Sequence, residues 1–168
     1  MPKSSNKELV LVLDNLRSAH NVGSIFRSAE AFDVSRIILT GISPYPTAPD
    51  DTRLPHIRAR AEAAIAKTAL GAEKSVPFEY QKSPAVVADK YRQAGYKLYA
   101  LELTNKAVNI RTFKPRFPSL LVVGNELSGV NQTLIDGADE VLQIPTAGRK
   151  SLNVAVATSI ALYQLLIS

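Results

Sequence analysis

The polar side chains best suited to chemistry fall in three short stretches: Asn21-Val22-Gly23-Ser24-Ile25-Phe26-Arg27, Gly124-Asn125-Glu126, and Ser151-Leu152-Asn153 shortly after Ile144-Pro145. They offer a guanidinium, a carboxylate, side-chain amides and a hydroxyl. A guanidinium holds an oxyanion through two parallel N–H bonds, but with a pKa above about 12 it is a poor base in water. His20 and His56 are isolated, with no ligand-like spacing to carboxylates, so neither is read as a metal ligand and no metal site is expected. The chain has no cysteine, which removes thiolate nucleophiles, cysteine-ligated zinc and disulfide frameworks together.

Each of these residues also has a structural reading. Asn21 is a good helix N-cap, because its side-chain oxygen can accept from an orphan amide of the first turn. Arg27 stands three residues before Glu30 and could form a surface ion pair worth a few tenths of a kcal/mol. Gly124-Asn125-Glu126 reads as a strand-ending turn, and Ser151 as the cap of a final helix with Asn153 in its first turn. Taken singly, Asn21, Glu126 and Ser151 favour these readings. As an ordered set, all at strand ends or helix starts, they favour a shared function.

The segments that must position them alternate between strand-like and helix-like patterns, which predicts an α/β fold: a mainly parallel sheet with helices on both faces. Glu8 to Leu13 reads as a strand, and Val22, Ile25, Phe26, Ala29 and Phe32 recur at helical spacing after it. Arg36 to Thr40 reads as the next strand, followed by Gly41 and a long loop from Ile42 to Pro55. Helices are predicted over Arg58 to Ala69 and Pro84 to Ala94, with a short strand over Val76 to Tyr80 between them. Three more strands are predicted at Lys97 to Leu103, Leu120 to Gly124 and Glu140 to Ile144, then a final helix from Ser151 to Leu166. Ligands of open α/β sheets bind outside the carboxyl ends of the strands. The loops opening at Thr104, Gly124 and Pro145 are thus expected to converge on one pocket. No G-x-G-x-x-G follows a strand, and Gly148-Arg149-Lys150-Ser151 lacks the adjacent Gly-Lys pair of a phosphate-cradling loop, which disfavours dehydrogenases and nucleotide triphosphatases.

At 168 residues the chain is expected to form one domain over 1–168, with no separate RNA-binding extension. Its net charge of +5 permits a polyanionic partner, though the modest clusters at Arg53, Arg58 and Arg60, at Arg111, Lys114 and Arg116, and at Arg149 and Lys150 each read alone as a solvated face. The start is polar, and no apolar run approaches the roughly 18 residues of a membrane span. A cytoplasmic protein, neither exported nor membrane-embedded, is expected.

The three stretches resemble the ordered motifs of the SPOUT superfamily, in particular its TrmH-type (SpoU) RNA 2'-O-methyltransferases. Asn21, Gly23, Arg27 and Ala29 match the first motif, and Val123-Gly124-Asn125-Glu126 with Gly129 match the second. Ile144-Pro145 with Ser151-Leu152-Asn153-Val154-Ala155 match the third. Lys67 to Ala72 is similar to a Lys-Thr-Ala-x-Gly-Ala stretch of the same family, and the resemblance runs from about Glu8 to Leu166.

The resemblance implies a deep trefoil knot at the C-terminal end, S-adenosyl-L-methionine as cofactor, RNA (tRNA or rRNA) as substrate, and a homodimer in which each active site draws on both copies. By position, Leu103, Thr104, Gly124, Ile144 and Leu152 are the expected cofactor-binding residues, while Arg27, Asn21, Glu126, Ser151 and Asn153 are the expected catalytic set. Arg27 is expected to hold the ribose or its phosphate and stabilise the developing alkoxide, Asn21 and Glu126 to orient it or the RNA backbone, and Ser151 and Asn153 to position the nucleotide. Two other readings stand beside this one: a noncatalytic RNA-binding or assembly factor on the same scaffold, and a base-directed RNA methyltransferase.

Overall fold

A computed structural model describes residues 7–148 and 151–168. In chain order its elements are β1 (Leu9–Asp14), α1 (Ala19–Ala31), β2 (Arg36–Thr40), α2 (Pro55–Ala69), α3 (Ala72–Ser75), β3 (Phe78–Gln81), α4 (Pro84–Gln93), β4 (Lys97–Leu101), β5 (Val108–Asn109), β6 (Ser119–Val123), α5 (Gln132–Asp136), β7 (Glu140–Gln143) and α6 (Val154–Leu166). The strands form one seven-stranded sheet in the order β3-β2-β1-β6-β4-β7-β5, every pair parallel.

The central strands are continuous apolar runs because both faces of the sheet are covered. Leu9, Leu11 and Leu13 of β1 and Leu121 and Val123 of β6 pack with Val22, Ile25 and Phe26 of α1 and with Ala161, Leu162 and Leu165 of α6. The alternate residues, Val10, Val12, Leu120 and Val122, pack on the other face with Val87 and Ala88 of α4 and Leu134 of α5. The strand order has a consequence for function. Strand β6 returns to lie between β1 and β4, so the loops leaving β1, β6, β4 and β7 become neighbours at one end of the sheet.

Helix α1 crosses α2 at Gly23, where a Cβ would overlap the Ile65 carbonyl oxygen and the Thr68 hydroxyl. The Thr68 hydroxyl also donates to the carbonyl of His20 at 2.8 Å, fixing the start of α1 against α2. The long loop after β2 is held by Arg53, whose Nε donates to Asp51 Oδ1 at 2.9 Å and whose guanidinium lies 3.4 Å over the Tyr45 ring. Tyr45 in turn stacks on Tyr80 at 4.3 Å between ring centres. This hydrogen-bonded pairing holds the Asp51 carboxyl down at about 2.

The predicted elements are present, with shifted ends. Helix α2 begins at Pro55 rather than Arg58, since proline suits the first helical turn. Strand β4 stops at Leu101, which leaves Leu103 and Thr104 in a loop. The final helix starts at Val154, not Ser151: the Asn153 side chain accepts from the amides of Ala155 (2.9 Å) and Val156 (3.3 Å) and is the cap. Helix α1 is likewise capped by Ser18, which accepts from the Asn21 amide at 3.2 Å, so Asn21 lies inside the first turn with its side chain released from capping. Helices α3 and α5 and the two-residue strand β5 carry no periodic pattern long enough to read.

Candidate active site

The Glu126 carboxylate is the hub of the loop cluster. Its Oε2 accepts from the amide of Arg17 at 3.0 Å, and its Oε1 accepts from the amide of Ser18 and the side-chain amide of Asn21, both at 3.1 Å. Burial pushes this carboxyl up, but the amides of Arg17 and Ser18 and the Asn21 side chain outweigh burial and hold it below its ordinary value. A carboxylate at the N-terminus of α1 also meets the positive end of the helix dipole. Glu126 is therefore an ionised anchor whose acceptor sites are largely taken.

The network continues. Asn153 Nδ2 donates to Asn21 Oδ1 at 3.1 Å, while Asn153 Oδ1 caps α6. Glu126, Asn21 and Asn153 thus form one hydrogen-bonded chain that joins the exits of β6, β1 and β7. Asn125 adds a second tie: its Nδ2 donates to the Asn15 carbonyl at 2.7 Å, and its Oδ1 accepts from the amides of Leu127 (2.8 Å) and Ser128 (3.1 Å).

Beside this chain opens a cavity of about 400 Å³, within the size range of small-molecule sites. Four of the five expected cofactor residues line it, Leu103, Gly124, Ile144 and Leu152, as do Glu126, Ser151 and Asn153 from the catalytic set. The cavity lining does not include Thr104, which lies in the loop beyond the end of β4. Asn21 stands behind Glu126 rather than in the wall. Arg27 is exposed on α1, six residues and about 9 Å of helix rise beyond Asn21. The ion pair with Glu30 that its spacing allows is not among those of the described residues; the Glu30 carboxylate accepts from the Ser75 hydroxyl. Arg149 and Lys150 lie outside the described residues.

Glu102 lines the cavity and was not anticipated, nor was Asp14 next to the loop behind it. The available signal was a carboxylate closing a buried apolar strand, Asp14 after Leu9 to Leu13 and Glu102 after Leu98 to Leu101. Among the described residues, no three histidine, aspartate or glutamate side chains are grouped to hold a metal ion. Nor is any helix among them long and apolar enough to cross a membrane.

The sequence profile of the SpoU rRNA Methylase family matches residues 8–163, and with them every motif in the cluster. The chain belongs to the SpoU family of RNA methyltransferases. It is 30% identical over 159 residues to the tRNA (guanosine(18)-2'-O)-methyltransferase of Aquifex aeolicus, covering 94% of this chain and 68% of that protein. Among solved structures it resembles the AdoMet-bound rRNA methyltransferase of Sinorhizobium meliloti (TM-score 0.76, 28% identity, 95% of this chain and 56% of that one). It also resembles the SpoU methyltransferase AviRb of Streptomyces viridochromogenes in complex with AdoMet (TM-score 0.76, 26% identity, 96% and 57%). The SpoU domain described here thus spans little more than half the length of these two solved relatives.

Proposed function

We propose that this chain is an S-adenosylmethionine-dependent RNA methyltransferase that methylates a ribose 2'-hydroxyl of tRNA or rRNA, and that it works as a homodimer. The observation that carries the reading is the Glu126-Asn21-Asn153 chain, which ties together the three family motifs at the wall of the cavity. The cavity suits the cofactor: Leu103, Ile144 and Leu152 offer apolar surface for an adenine, and the loop at Gly124 offers backbone groups. When bound, S-adenosylmethionine supplies an electrophilic methyl group on a sulfonium sulfur.

A methyl group so held would be open to in-line transfer to a ribose 2'-oxygen, with the sulfur as leaving group and the hydroxyl proton passing to the RNA phosphate or solvent. Positioning carries most of the acceleration in such an in-line transfer. Glu126 is a weak base, because the hydrogen bonds it accepts from Arg17, Ser18 and Asn21 take up most of its acceptor sites and hold its carboxyl below the ordinary value. Its work is to fix the start of α1. Arg27 binds the ribose or its phosphate bidentately and stabilises the developing alkoxide. Ser151 and Asn153, which also line the cavity, position the nucleotide.

Arg27 is not among the residues that line the cavity and stands about 9 Å of helix rise beyond Asn21. Helix α6 packs beside α1, with the Ser28 and Ser159 hydroxyls 2.7 Å apart and Phe32 edge-on to Tyr163. Val156, Ile160 and Tyr163 of α6 and Ile167 just past its end are exposed, an apolar stripe on a helix whose other residues are buried or half-buried. We read this stripe as the face that a second copy covers, with that copy's Arg27 completing the first copy's site. The family's trefoil knot is proposed with the same reading, supported by the way Ile144, Thr146 and Ser151 to Val154 share the cavity wall with the β4 and β6 loops before α6 joins α1. A cytoplasmic location accords with a chain free of cysteine.

The deciding experiment is incubation of the protein with S-adenosylmethionine and unmodified RNA, followed by nucleoside mass spectrometry. A 2'-O-methylated nucleoside is expected. A base-methylated product, or none with either RNA class, would overturn the reading.

A further inference from the structure

The loop that leaves β6, Gly124 to Asn131, forms one wall of the cavity, and it is gripped from both sides. Strands β1 and β4 flank β6, and each ends in a carboxylate that reaches this loop. Glu102, just past β4, accepts the Val130 amide on Oε2 and the Leu103 amide on Oε1, both at 2.9 Å. Asp14, the last residue of β1, accepts the Asn131 amide on Oδ2 at 3.3 Å. Its Oδ1 accepts from Asn15 Nδ2 at 2.9 Å and from the Thr40 hydroxyl at 3.2 Å. Two consecutive amides of one loop are thus held by carboxylates from the two neighbouring strands.

Three further observations set this apart from ordinary loop packing. Asp14 is almost wholly buried, and among the described residues neither it nor Glu102 forms an ion pair. Burying an uncompensated carboxylate is costly, and each one here uses both of its oxygens as acceptors where a neutral amide would offer only one. Gly129, at φ +72°, leaves the space that Glu102 occupies: a Cβ there would overlap Glu102 Oε2. And Glu102 itself borders the cavity beside Leu103.

We propose that Asp14 and Glu102 are positioning residues for the methyl donor, clamping the Gly124 to Asn131 loop from both sides in the shape that forms the cavity wall. The inference rests on the reading of this cavity as the S-adenosylmethionine site. It adds to the three motifs a pair of residues outside them, acting through the loop backbone.

The test uses the full chain and the variants Asp14→Asn, Glu102→Gln and Glu102→Ala, with S-adenosylhomocysteine as the calorimetric probe. Loss of a hydrogen bond to a charged acceptor predicts about tenfold weaker binding for Glu102→Ala. Glu102→Gln keeps one acceptor oxygen, so it is expected to recover part of that loss. In methyl transfer the variants raise KM for the donor by more than they lower kcat, and amide exchange at Val130 and Asn131 quickens. Affinities equal to the parent's, or a fall in kcat at unchanged affinity, overturn the clamp while leaving the cofactor reading intact. If the parent chain itself does not bind the probe, the cofactor reading fails. The clamp is then decided by amide exchange in the free protein, where unchanged protection at Val130 and Asn131 in Asp14→Asn and Glu102→Gln refutes it.

Discussion

Asn153 Nδ2 donates to Asn21 Oδ1 at 3.1 Å across a sequence separation of 132 residues. One side chain thereby caps the last helix with its oxygen and fastens that helix to the first motif with its nitrogen. The two jobs are separable by substitution. Asn153→Asp keeps the cap but loses the donor to Asn21, so it should fold with near-parental stability and lose most methyl transfer. Asn153→Ala loses both and should also destabilise by about 1 kcal/mol, the usual worth of an N-cap. Chemical denaturation alongside single-turnover assays distinguishes the two.

The placement of Arg27 predicts complementation between subunits. Arg27→Ala and the cavity-filling Ile144→Trp should each be inactive alone. Mixed after denaturation and refolding together, they should regain about a quarter of parental activity, because half the dimers are mixed and each holds one complete site. No regain on mixing would place Arg27 in its own subunit's cavity.

At Gly23, α1 lies directly against the backbone of α2. Gly23→Ala places a methyl against the Ile65 carbonyl, so α1 must shift. The expected destabilisation is about 1–3 kcal/mol, the usual range for overpacking. Because Asn21 and Arg27 ride on the same helix, activity should fall further than the loss of folded protein accounts for, as active-site titration with a tight inhibitor would show.

Acid should loosen the loop after β2. The Asp51 carboxyl is held at about 2, below its ordinary value of 3.8. The unfolded chain therefore binds more protons than the folded one between these values. The stabilisation from the Arg53 pairing is complete above pH 4 and lost as pH falls towards 2. Asp51→Asn should be less stable than the parent at neutral pH, and the two acid-unfolding curves should converge near pH 2.

The strand and helix order was legible because buried parallel strands are unbroken apolar runs, as Leu9 to Leu13 and Leu120 to Val123 show. The cavity was legible because loops at the carboxyl ends of such strands converge whatever their distance in sequence. The roles of single polar residues were less so. Asn21 and Ser18 are both good caps by type, and only the position of the first helical turn shows that Ser18 caps while Asn21 is left to bond Glu126 and Asn153. Asp14 and Glu102 escaped notice for a related reason: a carboxylate after an apolar run reads as the strand's polar end, and the partner amides lie far away in the chain.

The bare stripe of Val156, Ile160, Tyr163 and Ile167 carries one more consequence. If a second copy covers that stripe, as proposed above, the chain binds its own kind by mass action. Its melting temperature should rise with protein concentration, and its specific activity should fall on dilution, making the amount of enzyme present a determinant of how well each molecule works.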